Sequence, residues 1–298
     1  MLKAAGFDPQ FVLASQLPAI PAMSDRVRTF PSLSDFRSPL VRVVVDSQAY
    51  YLNDTDQYAK LGSTAADGSL GLNLSTQLVE EIRAAQGCSN ATKAEYSLKV
   101  AEDGSARIDV TLRYFGGSYN EKKRYFSELP PEQRRRYFQQ VVSGVAQGAR
   151  AVSELSTSFG DYPGTESYAI AVDNFAVANG DYLYFSLPFA PSLFQIKADS
   201  RTLPYFISRS SNIEGSVSVA LPRAFRTILV CPKSEGLAAP DGGGRVTISE
   251  TATDQGCDLR FKLEASPAII DARDYPALLS LESSLEQRSA RTFLLAKD

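Results

Sequence analysis

Histidine does not occur anywhere in this 298-residue chain. Its absence removes every Ser-His, Cys-His and HExxH arrangement from what the chain can do alone. Cysteine is scarce, and Cys88, Cys231 and Cys257 are too scattered for a CxxC-type zinc site. Positive charge is not in excess. Thirty-one basic and 34 acidic residues give a net charge of −3, which argues against nucleic-acid binding across a broad basic face. No apolar run reaches the roughly 18 to 20 residues that span a bilayer, so no membrane span is expected.

What remains is the composition of a globular protein, 44% hydrophobic and 22% charged. A chain of this length buries about three quarters of its unfolded surface and needs neither metal nor disulfide to hold a core. There are no internal repeats and no low-complexity tract.

Met1 to Gly6 reads as the last turn of a helix, with Gly6 in the left-handed position that follows it. Residues 11–14 read as a short buried strand and 16–34 as a Pro/Ser-rich loop. Two strands follow at 40–45 and 49–52, about a turn at Asp46-Ser47-Gln48. Ser75 is a candidate N-cap for a helix over 76–86, with Leu78, Ile82 and Ala85 as its stripe and Gly87 as its stop. A linker fits 86–93. Beyond it, Tyr96, Leu98 and Val100, then Asp103-Gly104, then Ile108, Val110, Leu112 and Tyr114 alternate as a hairpin. Pro130-Pro131-Glu132 opens a helix to about residue 147. β-rich segments recur at 166–177, 181–187, 213–221, 224–231, 245–251 and 257–264, a spacing that suggests an antiparallel sandwich. A helix at 275–287 and a strand at 292–295 close the chain.

Leu2-Lys3-Ala4-Ala5-Gly6-Phe7-Asp8 with Phe11-Val12-Leu13-Ala14-Ser15 resembles the stretch after the nucleophile helix of bacterial transglutaminase-like proteins. Phe36-Arg37-Ser38-Pro39-Leu40-Val41 resembles that family's "Phe-x-His" strand, and Tyr51-Leu52-Asn53-Asp54-Thr55-Asp56 its "Trp-Leu-Asp-Pro-Thr-Asp". Leu129-Pro130-Pro131-Glu132-Gln133-Arg134, Arg201-Thr202-Leu203-Pro204-Tyr205 and Tyr275-Pro276-Ala277-Leu278 are similar to the β-rich domain of unknown function that follows the family's core. The resemblance implies an α+β fold. An incomplete transglutaminase-like (papain-like) α/β piece is expected at 1–75, a helix and linker at 76–91, and a mostly antiparallel β-sandwich-like domain with two helices at 92–298. It also implies an extracytoplasmic bacterial protein, periplasmic or surface-anchored, of which this chain is a fragment or a late-started reading frame.

The family's chemistry needs a thiolate, an imidazole to deprotonate it and a group to orient the imidazole. The resemblance puts Ser38 at the His position and Asn53 at the third, with the nucleophile helix before Met1. It therefore implies the fold and withdraws the activity.

Other motifs carry less. Tyr182 and Tyr184 share one face of a strand by alternation, and with Phe189 and Phe194 form the densest aromatic region. They read as sandwich core, or as a surface that docks a protein, peptide or glycan through aromatic faces with polar tips. Cys231 and Cys257 read as buried thiols or as a disulfide, since sequence does not supply the Cα separation. Arg134-Arg135-Arg136 reads as a solvated helix face, and Asp241-Gly242-Gly243-Gly244 as a hairpin turn rather than a phosphate loop. No cofactor or metal motif is present. The expected role is a non-catalytic scaffold or binding module. The alternative is the accessory part of a Cys-dependent acyltransferase or protease whose catalytic residues lie outside this chain.

Overall fold

The computed structural model describes residues 1–298 except 53–55, 147, 189–191, 195, 197, 288–290, 298 and the side chain of residue 286. The first unit is a five-stranded antiparallel sheet made of β1 (Gln10–Ser15), β2 (Phe36–Val45), β3 (Gln48–Leu52), β4 (Leu70–Asn73) and β5 (Leu78–Glu81), in the order β3-β2-β1-β4-β5. Asp46 and Ser47 both have positive φ, the backbone that a two-residue hairpin turn needs, and they join β2 to β3. Val12, Ala14, Tyr51 and Ile82 form its small core.

Two sequence expectations fail here. No helix covers 76–86. The Asn73 side chain accepts from the amides of Ser75 at 3.0 Å and Thr76 at 3.3 Å, closing a turn, and the chain returns as β5 beside β4. The apparent stripe is not one face, because Ile82 is fully buried while Leu78 is 65% exposed. The segment 16–34 is not all loop. Pro21 starts α1 (Pro21–Thr29), which buries only Val27, against Phe36 and Leu70, so its apolar signal is one residue deep.

The second unit contains β6 (Ala91–Val100), β7 (Ala106–Phe115), α2 (Gly116–Glu128), α3 (Pro131–Val145), β8 (Ala149–Ala151), β9 (Ser156–Ser158) and β10 (Gly164–Val172). It continues through β11 (Val177–Asn179), β12 (Tyr182–Ser186), β13 (Tyr205–Ile207), β14 (Ser211–Ala220), β15 (Thr227–Val230) and β16 (Glu235–Ala238). β17 (Gly244–Thr253), β18 (Gly256–Ala265), β19 (Ala268–Ile270), α4 (Tyr275–Glu286) and β20 (Thr292–Ala296) complete it. The architecture is α+β, with four α-helices among the described residues. Three of them lie beyond residue 92 where two were expected.

The missed helix is α2. It starts at Gly116-Gly117, and the fold requires glycine at the first of these. Gly116 has φ +54°, and a Cβ would lie 2.6 Å from the Cys88 carbonyl oxygen. Asn90 caps the helix from outside, its Oδ1 accepting from the Ser118 amide and hydroxyl at 2.8 Å each.

A large sheet runs β16-β17-β18-β14-β6-β7-β10-β8, with β9 also on β10, and only the β14–β6 pair in it is parallel. A small sheet, β11-β12-β20-β15, covers part of its inner face. Between them lie Leu98, Ile108, Ile170, Val217, Leu183, Phe185, Phe293 and Leu295, with Phe185 and Phe293 stacked at 4.9 Å. A second core forms where α4 brings Tyr275, Leu278 and Leu285 onto Leu263 and Ile270. The two units meet at α2. Asn120 accepts from the Lys60 amide at 2.9 Å and donates to the Ser63 hydroxyl at 3.1 Å, and Arg124 pairs with Asp56.

Candidate functional site

Ser38 lies on β2 opposite Ala14, half-buried. Asn53 lies outside the described residues. Cys88 is buried, its Sγ 3.9 Å from the Leu61 carbonyl oxygen. Cys231 and Cys257 are free thiols rather than a disulfide, and they share one acceptor. Glu250 Oε1 is 2.9 Å from Cys231 Sγ and 3.9 Å from Cys257 Sγ. Burial and then Glu250 push Cys231 up to about 11 and Cys257 to about 12. A nucleophilic cysteine is held the other way, by a nearby cation or helix N-terminus.

The four aromatic candidates separate. Phe194 is 6% exposed and belongs to the second core. Its amide donates to Glu282 Oε1 at 2.6 Å, as does that of Leu193 at 2.8 Å. It is therefore packing, not a binding residue. Phe189 lies outside the described residues. Tyr182 and Tyr184 are 51% and 39% exposed. Strand alternation sends Leu183 and Phe185 into the core and both tyrosines outward, onto the open face of the small sheet.

The register turns this face into a row. Tyr184 is opposite Val177 on β11 and Leu294 on β20, and Leu294 is opposite Val230 on β15. Val177 and Val230 are exposed and Leu294 half-buried, so an apolar line crosses all four strands with Tyr184 inside it. Tyr182 stands one rung away, between Asn179 and Ala296. Leu229, at the β15 irregularity, adds exposed apolar surface beside Val230. This is a face rather than a groove. It offers apolar contact area and hydroxyls, the Tyr184 hydroxyl lying 3.5 Å from that of Ser186.

Sequence reading missed a buried polar cluster. Glu166 on β10 is fully buried, accepting from the Tyr114 hydroxyl at 2.9 Å and the Tyr137 hydroxyl at 2.8 Å. Lys122 Nζ is 3.9 Å from the same carboxylate and lies 5.2 to 6.0 Å from the ring centres of Tyr114, Tyr125, Phe126 and Tyr137. Arg134 stacks on Phe126 and donates to the Thr157 hydroxyl at 2.6 Å, whereas Arg135 and Arg136 only pair with Glu132 at the surface. The acceptor is sealed beneath its donors, so the cluster ties α2 and α3 to the sheet. Only Glu166 falling on the inward side of β10 could have signalled it.

Among the described residues no group of three or more Cys, Asp or Glu side chains is placed to hold a metal ion, and no helix is long and apolar enough to cross a membrane. No protein-family model matches the sequence, and no curated protein matches it. One solved structure is similar over 99% of this chain, at 13% identity and a TM-score of 0.41. It is a protein from Parabacteroides distasonis described as a "putative protease". This chain spans 41% of that protein's length. These comparisons do not show a transglutaminase-like family.

Proposed function

We propose that the chain is a non-catalytic binding or scaffold module that docks a protein or peptide partner on the open face of the small sheet. The observation that carries this reading is the row Val177–Tyr184–Leu294–Val230. Tyrosine is enriched where a surface is covered by a partner, since it offers large apolar area and one hydrogen-bonding tip. Aliphatic neighbours on both sides of Tyr184 favour a protein or peptide over a glycan here, because branched aliphatic side chains give a sugar ring no flat surface to stack on.

The alternative, an accessory part of a Cys-dependent enzyme, has less support. A thiol from outside would meet Ser38, which cannot accept its proton near neutral pH. The chain's own Cys231 and Cys257 are held protonated. A peptide array of apolar and aromatic 12-residue sequences tests the proposed role. Binders lost in Tyr184→Ala, with the melting temperature unchanged, support it. Glutamine-dependent amine incorporation by the wild-type chain, abolished on mutating one cysteine, overturns it.

A further inference from the structure

The outer face of the large sheet carries a hollow of about 410 Å³ over β6, β14, β18 and β17. That volume lies within the range of about 300 to 1,000 Å³ occupied by small-ligand sites. The register explains the hollow. Glu95, Ser216, Arg260 and Ser249 form one rung across the four strands, and Lys93, Glu214, Lys262 and Thr247 the next. Ser216 is short, and taller side chains stand on both sides of it.

Charge within the hollow is nearly all satisfied locally. Lys93 pairs with Glu214 at 3.1 Å, Lys262 with Glu264 at 2.7 Å, and Glu95 with Arg113. Arg260 is the exception, since among the described residues it has neither an ion-pair nor a hydrogen-bond partner. Arg260 lines the hollow, and on its rung it lies between Ser216 on β14 and Ser249 on β17, while the rung's one carboxylate, Glu95, is already paired with Arg113. A free guanidinium fork flanked by hydroxyls complements a carboxylate and, beside it, further hydroxyls.

All four strands have neighbours on both sides in this sheet. Their backbone groups are committed to the ladder, so the floor offers no main-chain partners to an extended peptide, which binds sheets by adding to an edge. Recognition must come from side chains, and of those lining the hollow the hydroxyls of Ser216, Ser249 and Thr247 and the unpaired Arg260 are the polar groups not committed to an ion pair. We propose that this hollow binds an acidic saccharide, with a sugar carboxylate on Arg260 and sugar hydroxyls on Ser216, Ser249 and Thr247. The site is separate from the tyrosine face of the small sheet and does not depend on its role.

The test is titration of the full chain with trigalacturonate, followed by amide chemical shifts, alongside neutral galactotriose and hexaglutamate. Trigalacturonate should bind saturably, with shifts centred on β14 and β18. Arg260→Ala should weaken it about tenfold or more, as expected for loss of a charge-assisted pair. Ser216→Leu should block binding by filling the floor with the guanidinium intact, and Tyr184→Ala should leave it unchanged. Both Arg260→Ala and Ser216→Leu are read only after melting curves match the wild type. Absence of saturable binding overturns the proposal, as does unchanged affinity in Arg260→Ala. Equal binding of galactotriose or of hexaglutamate overturns it too, the latter marking an acidic-peptide site.

Discussion

The Tyr137 hydroxyl donates to Glu166 Oε1 at 2.8 Å, which fixes α3 to the large sheet through a carboxylate with no exposure to water. Tyr137→Phe removes one donor and leaves part of a buried acceptor unpaired. The expected cost is about 1 to 3 kcal/mol in urea unfolding. Glu166→Ala strands the Tyr114 and Tyr137 hydroxyls together and takes the counter-charge from Lys122, so it should cost more. Equal stability of wild type and Glu166→Ala would contradict this.

The same cluster sets an alkaline limit. Burial and then Glu166 raise the Tyr114 and Tyr137 phenols well above the usual tyrosine range. A raised folded-state pKa gives stability that is complete below the unfolded value, about 10 for tyrosine, and is lost as pH rises from there through the folded value. Stability should therefore fall above about pH 10. Tyr114→Phe with Glu166→Gln should flatten that fall, read by urea midpoints between neutral and alkaline pH.

An acid limb should come from the joint between the two units. Hydrogen bonding to Arg124 holds the Asp56 carboxyl below the ordinary aspartate range, helped by the Tyr58 amide. A lowered folded-state pKa gives stability that is present above the unfolded value, about 3.9, and is lost as pH falls through the folded one. Arg124 is half exposed, so solvent screening limits the contribution to about 0.5 to 1 kcal/mol. Asp56→Asn should remove that part of the acid dependence, and an unchanged slope below pH 4 would count against the joint.

The thiols should be slow. With Cys231 at about 11 and Cys257 at about 12, the thiolate fraction near pH 8 is far below that of a free cysteine. Iodoacetamide labelling, read by peptide mass spectrometry, should lag behind free cysteine and rise about tenfold per pH unit until each pKa. Glu250→Gln should speed both reactions. Fast labelling of Cys231 in the wild type would contradict the shared-carboxylate arrangement.

Strands with strict alternation were legible from the residues alone. The 92–114 hairpin and Tyr182–Ser186 show this, because period-two burial writes itself into sequence. α4 was legible from Leu278, Leu281 and Leu285 on one face. Segments whose fate is set by distant partners were not. β5 looked helical until Asn73 bent the chain back, and α2 is capped by Asn90, 28 residues upstream of Ser118. Alternation alone placed Tyr182 and Tyr184 together, but their outward direction and the row with Leu294 and Val230 needed the strand order. Phe194 misled because its density of aromatic neighbours belongs to a core closed by α4 and Glu282. The Arg260 hollow was invisible in sequence, since its rung draws one residue each from four strands.

The most direct measurement is binding of array-selected 12-residue peptides to the wild type and to Tyr184→Ala, by fluorescence anisotropy. Binding should be saturable and should weaken about tenfold or more in Tyr184→Ala, as truncation of a central aromatic anchor does, with an unchanged melting temperature. Val230→Ser, at the other end of the row, should weaken it less. Binding indifferent to both substitutions would contradict a docking role for the tyrosine face, and so would the absence of any saturable peptide.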